Sequence, residues 1–187
     1  RSMLRNIVLS RTLRVCVRSD IPPFGYFKGE TLTGFDIALA KEIAMGLSIR
    51  YQSNIHPQWV VIKAADRIPN LQKNQCDLVV AAFSKTLQRS KVVSFSSIYH
   101  KTTKVVLSRK QNISSSPVVA RVRKTTPGSF KVPNAVYSSF LSYSDILYTM
   151  RQNLVDYVIT DQPIGLYLVR HSKGSYKVFK HLKNQEH

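Results

Sequence analysis

The first hundred residues alternate between strand-like and helix-like spacing of hydrophobic positions. Apolar residues recur every three or four positions along 37–47, which indicates a helix with one buried face. Residues 76–83 form a nearly continuous apolar run between polar flanks, as is typical of a buried parallel strand. The predicted elements are strands at 13–17, 59–62 and 76–83 and helices at 37–47 and 66–73. This order predicts an α/β unit with a parallel sheet and right-handed crossovers.

A second α/β pattern follows a long extended stretch. Residues 92–107 are rich in Ser, Thr and Val without helical spacing, so we expect a segment that passes between two lobes. The later predicted elements are strands at 118–122 and 155–160 and helices at 143–150 and 163–170. The predicted domains are lobe 1 at 1–104 with a crossing strand near 95–104, lobe 2 at 105–175, and a return segment or tail at 176–187. We expect a mostly parallel sheet in each lobe.

Composition and charge narrow the class of protein. Of the 187 residues, 43% are hydrophobic and 20% charged, which is ordinary for a globular protein. The 28 Lys and Arg against 10 Asp and Glu give a formal charge of +18, which raises nucleic acid or an anionic membrane as a partner. The basic residues are scattered, however, and the densest cluster, Arg121, Arg123 and Lys124, is short. We therefore expect no nucleic-acid partner.

Candidate chemistry for metal binding, cofactor binding or catalysis is absent from the sequence pattern. Cys16 and Cys76 lie in apolar stretches, where Cys packs as a small hydrophobic residue. We expect free buried thiols, with a disulfide between two strands as the alternative. Two distant thiols and five scattered histidines predict no metal site, and we expect no cofactor.

The start of the chain bears on its location. Arg1-Ser2 ahead of Met3 resembles a cloning scar, and the residues from Met3 to Leu9 are too short for a signal peptide. We expect a signal peptide that has been removed, and hence a periplasmic or lipid-anchored extracellular protein. A native start at Met3 would instead indicate a cytoplasmic protein.

Six stretches resemble, in the same order, the family-3 extracellular solute-binding proteins, which are the periplasmic binding proteins of bacterial polar amino-acid ABC transporters. The stretches are 13–26, 32–40, 66–72, 76–82, 86–99 and 155–163. The resemblance implies an α/β, two-lobed periplasmic-binding-protein (Venus flytrap) fold of type II, with a small amino acid held between the lobes. It implies no catalytic residue.

The resemblance also assigns roles at the two charged ends of the ligand. Both a carboxylate and an ammonium lose their water on binding, so each needs a fixed partner. Arg89 is expected to bind the α-carboxylate together with Ser84 and the backbone around Ala82. Asp161 is expected to accept hydrogen bonds from the α-ammonium across the cleft, on the lobe opposite to Arg89. A solvated helix-start arginine and a helix cap are the structural alternatives for Arg89 and Asp161. Further candidate ligand-binding residues are Thr126 and Tyr143.

Ligand specificity is inferred from the same resemblance. Members that bind acidic amino acids carry an arginine just after the first strand, where Arg18 stands, and Arg67 also has a match there. Many other members carry an aromatic wall where this chain has Ala64, so a stacked cationic ligand is disfavoured. We therefore expect glutamate or aspartate. Arg18 as an exposed strand-end arginine is the alternative, and Phe24 either forms the other wall of the cleft or packs in the core.

The chain departs from the family pattern in its second half. Lys124 stands where the family usually has a glycine before the paired threonines, and Pro133 shortens the helix that should follow. Family members also continue well beyond residue 179, so this chain is expected to lack the C-terminal segment. An exchange of segments with a second copy, giving a homodimer, is an alternative.

The leading functional hypothesis is a binding protein that captures a free polar amino acid and delivers it to the membrane permease of an ABC transporter. One alternative is the ligand-sensing domain of a membrane receptor, and another is a degenerate binding protein that no longer transports. A prephenate-type dehydratase is disfavoured because that chemistry needs a poised carboxylate, and Asp161 already has a binding role. We therefore expect no enzyme.

Overall fold

The protein divides into two compact units, Arg1–Phe83 (unit 1) and Ser84–His187 (unit 2). This computed structural model describes residues 2–126 and 129–182. Within those residues no helix is both long enough and apolar enough to cross a membrane. The lobe boundaries expected from the sequence stay a prediction.

Unit 1 is built on a three-stranded parallel sheet. Its helices include α1 (Met3–Ser10), α2 (Phe35–Tyr51) and α3 (Arg67–Gln72), and a 3-10 turn at Ala64–Asp66 precedes α3. Its strands include β1 (Thr12–Val17), β2 (Asp20–Ile21), β3 (Gly25–Lys28), β4 (Thr31–Thr33), β5 (His56–Val61) and β6 (Leu78–Val79). The parallel order β5-β1-β6 confirms the predicted topology of this half. Strands β2, β3 and β4 form a small antiparallel sheet that the sequence did not predict.

The core of unit 1 lies between β1 and α2. Val15 and Val17 of β1 are fully buried and pack with Ile37, Ala40 and Ala44 of α2, at the helical spacing seen in the sequence. The predicted strand over 76–83 is shorter than expected, because the ladder with β1 covers only β6.

Cys16 and Cys76 form a disulfide, so the expectation of free thiols is wrong. Their Cα atoms are 5.7 Å apart, within the range that a disulfide spans. Cys16 lies in the central strand β1, and Cys76 comes two residues before β6, which pairs with β1. Strand order thus brings the two thiols together, and a separation of 60 residues in sequence conceals it. Both sulfurs are buried beside Ile62.

Unit 2 contains a five-stranded sheet with helices packed against it. Its helices include α4 (Leu87–Ser90), α5 (Tyr143–Arg151) and α6 (Gln162–His171), and its strands include β7 (Lys104–Arg109), β8 (Val118–Val122), β9 (Val136–Phe140), β10 (Tyr157–Asp161) and β11 (Tyr176–His181). The predicted helices at 143–150 and 163–170 and the strands at 118–122 and 155–160 are confirmed to within two residues. Strand β9 was missed.

The expectation of a mostly parallel sheet is wrong for unit 2. In the order β11-β7-β10-β8-β9, the two pairings that involve β7 are antiparallel and the other two are parallel. The reason is that β7 enters the sheet from a long stretch without a crossover helix. The predicted crossing strand near 95–104 is also absent, since residues 92–103 form no strand and β7 begins at Lys104.

A buried carboxylate anchors the entry to β8. Asp156 is 3% exposed, pairs with Arg109 and accepts hydrogen bonds from the backbone N–H of Val118 at 2.8 Å and of Ser114 at 3.3 Å. One charge therefore fixes β7, the loop before β8 and β10 together.

Candidate functional site

The carboxylate-binding candidate Arg89 has its guanidinium held in one direction. It lies in the short helix α4 of unit 2, which Thr86 caps by accepting a hydrogen bond from the Arg89 N–H at 3.2 Å. The guanidinium donates to the carbonyl of Ser84 at 2.7 Å and to the carbonyl of Lys124 at 2.9 Å. Burial lowers the pKa of Arg89, but a guanidinium stays charged at neutral pH. The result is a positioned, half-buried cation.

The segment that receives Arg89 carries the departure noted in the sequence. Lys124 has a left-handed φ of 60°, a conformation that favours glycine. The glycine that the family usually places here therefore has a backbone reason, and Lys adopts the same conformation at some cost. Thr125 donates to the carbonyl of Val122 at 2.6 Å, and Thr126 next to it is half-buried. Thr126 remains a candidate ligand-binding residue.

The ammonium-binding candidate Asp161 already forms an ion pair. It is the last residue of β10 and stands opposite Lys104 in the register with β7, where Lys104 Nζ lies 2.8 Å from Asp161 Oδ1. Although Asp161 occupies the N-cap position of α6, its side chain makes no cap hydrogen bond, so the capping alternative is wrong. Only 14% of the side chain is exposed. A ligand ammonium would share this carboxylate with Lys104.

Tyr143 lies beneath the end of β10. It is buried at the start of α5, which Ser142 caps by accepting a hydrogen bond from the Asp145 N–H. The Tyr143 hydroxyl accepts a hydrogen bond from Thr160 at 2.7 Å, one residue before Asp161. This contact ties α5 to the strand end that carries the candidate carboxylate. Contact between Tyr143 and a ligand stays a prediction.

In unit 1, Arg18 forms a buried ion pair with Asp20. Arg18 is 2% exposed, and its guanidinium donates to both carboxylate oxygens at 2.9 Å. The alternative of an exposed strand-end arginine is therefore wrong. Gly25 permits this packing, because a Cβ at that position would lie 2.0 Å from the Arg18 carbonyl oxygen. Sequence reasoning missed Asp20 as a partner, although the two-residue spacing was visible.

Arg67 connects the start of α3 to the segment after β6. It is buried, donates to the carbonyls of Ala64 at 2.9 Å and of Ala81 and Ala82 at 3.2 Å, and its guanidinium carbon lies 4.3 Å from the centre of the Phe83 ring. These contacts shape the backbone around Ala82.

The backbone around Ala82 has its own partner in unit 1. Ala82 has a left-handed φ of 42°, and its N–H donates to the buried carboxylate of Asp36 at 2.7 Å. The sequence analysis missed Asp36, whose position in the first turn of α2 resembled ordinary helix-start chemistry. Phe24 is 4% exposed and meets the Phe35 ring edge-on at 6.3 Å, as its packing alternative predicts.

The candidate residues supply two oppositely charged groups in unit 2. Within residues 2–126 and 129–182, no group of three or more His, Cys, Asp or Glu side chains is placed to hold a metal. The positioned cation of Arg89 and the carboxylate of Asp161 are complementary to the two ends of a zwitterion. Both lie in unit 2, whereas the sequence analysis expected them on opposite lobes. Such chemistry is suited to binding.

Comparisons with known proteins show what the chain is similar to. The chain is 27% identical over 175 residues to the ABC transporter glutamine-binding protein GlnH of Bacillus subtilis, covering 87% of this chain and 62% of the relative. The chain therefore spans less than two thirds of that protein. Among solved structures, a cysteine-binding protein from Campylobacter jejuni is similar with a TM-score of 0.84, 28% identity and coverage of 97% of this chain and 76% of the other.

A third similarity is to another solved structure. An ancestral arginine-binding protein bound to arginine matches with a TM-score of 0.77 and 25% identity, covering 94% of this chain and 81% of the other. The predicted periplasmic-binding-protein fold is confirmed by these structures. Residues 13–181 match the family of bacterial extracellular solute-binding proteins, family 3, which also confirms the expectation of a binding protein rather than an enzyme. The chain belongs to family 3 of the bacterial extracellular solute-binding proteins.

Proposed function

We propose that the protein binds a free polar amino acid, with Arg89 on the α-carboxylate and Asp161 on the α-ammonium, and delivers it to the permease of an ABC transporter. The observation that carries the proposal is that unit 2 holds both charges in fixed positions. Two backbone carbonyls hold the Arg89 guanidinium, and Lys104 holds the Asp161 carboxylate. Groups fixed in advance lose little conformational entropy when a ligand binds.

Arg89 and Asp161 together form the proposed ligand clamp, and their charges determine its contribution to the binding free energy. Hydrogen bonds to charged groups contribute about 1.5–3 kcal/mol each. Removing one side of such a pair leaves the other desolvated, at a cost of about 2–5 kcal/mol. Loss of the Arg89 guanidinium should therefore weaken binding by about 30-fold to several thousand-fold.

The Asp161–Lys104 pair sets how the ammonium is received. Lys104 engages Oδ1 of the carboxylate at 2.8 Å, so the ligand ammonium takes its place on the same carboxylate beside a resident cation. Substitution Asp161→Asn removes the charge that balances both cations while keeping the side-chain shape. We expect it to weaken amino-acid binding severely.

The finer hypothesis concerns the ligand side chain. Sequence resemblance favours glutamate or aspartate through Arg18 and Arg67. The bidentate pairing with Asp20 compensates the charge of Arg18. Arg67 is buried as well, and its guanidinium donates to backbone carbonyls. The acidic preference therefore rests on the resemblance. The hypothesis ranks glutamate and aspartate above glutamine, and all three above arginine and lysine. Tighter binding of arginine would show that the carboxylate of Asp20, rather than the guanidinium of Arg18, decides which ligand side chain is preferred.

Delivery to a permease and a location outside the cytoplasmic membrane are parts of the same proposal. They are supported by the family and by a relative that is named as an ABC transporter glutamine-binding protein. A signal peptide or lipid anchor on the gene product would agree with this location.

Isothermal titration calorimetry tests the proposal on protein freed of bound ligand by unfolding and refolding. Glutamate, aspartate, glutamine, cysteine and arginine are titrated into the wild type and into Arg89→Ala, Arg89→Lys and Asp161→Asn. Arg121→Ala is the matched control, because it removes the same charge from the same unit at a side chain of β8 that donates to the Ser139 hydroxyl at 3.5 Å. We expect Arg89→Lys to retain part of the affinity that Arg89→Ala loses. Equal affinity of Arg89→Ala and Arg121→Ala would contradict the assignment.

A further inference from the structure

Helix α2 carries hydrophobic residues on its outer face as well as its inner one. The inner face is buried against β1 through Ile37, Ala40 and Ala44. On the outer face, Met45 is 51% exposed and Ile49 is 74% exposed. A helix that covers one side of a sheet is ordinarily polar on its solvent face. In the part of the chain that the structure describes, the apolar outer face of α2 is left uncovered.

Gly46 lies in the middle of this outer face, and nothing in the part of unit 1 that the structure describes requires a glycine at this position. Glycine is less favourable than alanine in a helix interior. Gly46 is not among the glycines with positive φ, and a Cβ there would meet no atom within 4 Å. Neither its backbone conformation nor its own packing requires glycine. A missing side chain on an exposed helix face instead permits the close approach of another backbone.

Two opposite charges flank Gly46 at equal distance. Glu42 precedes it by four residues and Arg50 follows it by four, so both lie on the same helix face, and both are exposed. Across residues 2–126 and 129–182, neither takes part in an ion pair. The neighbours of Glu42 three and four positions away are Ala38, Leu39, Met45 and Gly46. The helix itself therefore offers Glu42 no cation.

We propose that α2 packs antiparallel against the α2 of a second copy of this chain, around a two-fold axis that passes by Gly46. A two-fold contact pairs each residue with the one equally far on the other side of the axis. Glu42 of each copy then faces Arg50 of the other, and two equivalent ion pairs flank the crossing. Met45 and Ile49 pack beside the axis and lose their exposed apolar surface.

Helix geometry permits this arrangement. At 1.5 Å per residue, Glu42 and Arg50 lie about 6 Å along the helix on either side of Gly46. Antiparallel helices crossing at about 20° remain side by side over that distance, with axes 8–10 Å apart. Two long side chains such as Glu and Arg span this gap. The contact is weak, since one helix pair buries less than the roughly 1,600 Å² of a standard stable interface.

This association differs from an exchange of chain segments. It is a contact between folded surfaces, so it dissociates on dilution and depends on salt. It is also independent of the proposed amino-acid binding, because none of its residues belongs to the ligand clamp.

Sedimentation velocity over about 1–300 µM protein at low salt measures the self-association. We expect a reversible monomer–dimer equilibrium in the wild type. Glu42→Arg and Arg50→Glu should each weaken it at least about 10-fold, because each places like charges opposite each other. The double substitution Glu42→Arg with Arg50→Glu should restore it. Lys41→Glu, a charge change on another side of the same helix, should leave it unchanged.

Gly46→Ala adds a second readout that a purely structural glycine would not give. Alanine should raise the thermal midpoint of unfolding, because the helix gains propensity and the Cβ meets no neighbour. The same methyl group should weaken dimerisation. A chain that stays monomeric at every concentration overturns the proposal. Dimerisation that is unaffected by Glu42→Arg also overturns it, as does failure of the double substitution to restore dimerisation. A dimer that persists on dilution, as a dimer with exchanged segments would, overturns it too.

Discussion

The disulfide between Cys16 and Cys76 gives the most quantitative prediction for unit 1. It closes a loop with a sequence separation of 60 residues, which contains α2, β5 and α3. The chain-entropy relation for a loop of this length gives a stabilisation of about 4 kcal/mol at 25 °C, because the bridge restricts the unfolded chain. Reduction should therefore lower the free energy of unfolding of unit 1 by about 4 kcal/mol.

The assay is urea denaturation followed by tryptophan fluorescence. The sequence contains one tryptophan, Trp59, which lies in β5 and packs against the core of unit 1, so its emission reports on that unit. Oxidised protein, reduced protein and the double variant Cys16→Ala with Cys76→Ala are compared. Reduced wild type keeps both sulfur atoms and measures the loop closure alone. The double variant also leaves small cavities, since both positions are buried, and should be about 1 kcal/mol less stable again.

Two results would refute this reasoning. One is a midpoint that does not move when the protein is reduced. The other is the titration of two thiols in unfolded protein that was never exposed to a reductant. The structure predicts no reactive thiol before reduction and two after it. The double variant is the control, and its unfolding curve should be the same with and without reductant.

Three further predictions concern buried groups of both units. Asp156→Asn should leave Arg109 buried without its carboxylate and lower the free energy of unfolding, measured by circular dichroism, by about 3–5 kcal/mol. A loss below about 1 kcal/mol would contradict the anchoring role. Burial raises the pKa of Tyr176 to about 12, so its stabilising contribution is complete below pH 10 and is lost as the pH rises towards 12. The stability of wild type minus that of Tyr176→Phe should fall over this range by up to ~1.4 kcal/mol per pH unit, whereas a constant difference would rule out the shift. Gly25→Ala should destabilise unit 1 by at least about 1–3 kcal/mol in the fluorescence assay, because a Cβ would overlap the Arg18 carbonyl, and an unchanged midpoint would contradict that contact.

Much of the fold was predictable because its elements carry local signals. The spacing of Ile37, Ala40 and Ala44 marks the inner face of α2, and these residues are buried as that spacing requires. The pairing of the strands in the large sheet of unit 2 was harder to predict from the sequence. The direction of β7 depends on its partners β10 and β11, and no local pattern encodes a non-local pairing.

The candidate site shows the same division between local and non-local information. Arg89 and Asp161 were identified by resemblance, but the groups that hold them were not. Lys104 is 57 residues from Asp161 in sequence, and only the β7–β10 register brings them together. The partner of Ala82, Asp36, is similarly distant, since the bond joins positions 46 residues apart. Asp20 is the exception, because an Arg and an Asp two residues apart were visible in the sequence.

Calorimetric titration of ligand-free wild-type protein with each of the twenty L-amino acids tests the central claim most directly. The account predicts saturable one-to-one binding of at least one polar L-amino acid, and loss of that binding when the α-carboxylate of the same ligand is converted to an amide. Absence of binding by all twenty, or equal binding of the amide, would contradict the claim that Arg89 and Asp161 hold a free amino acid.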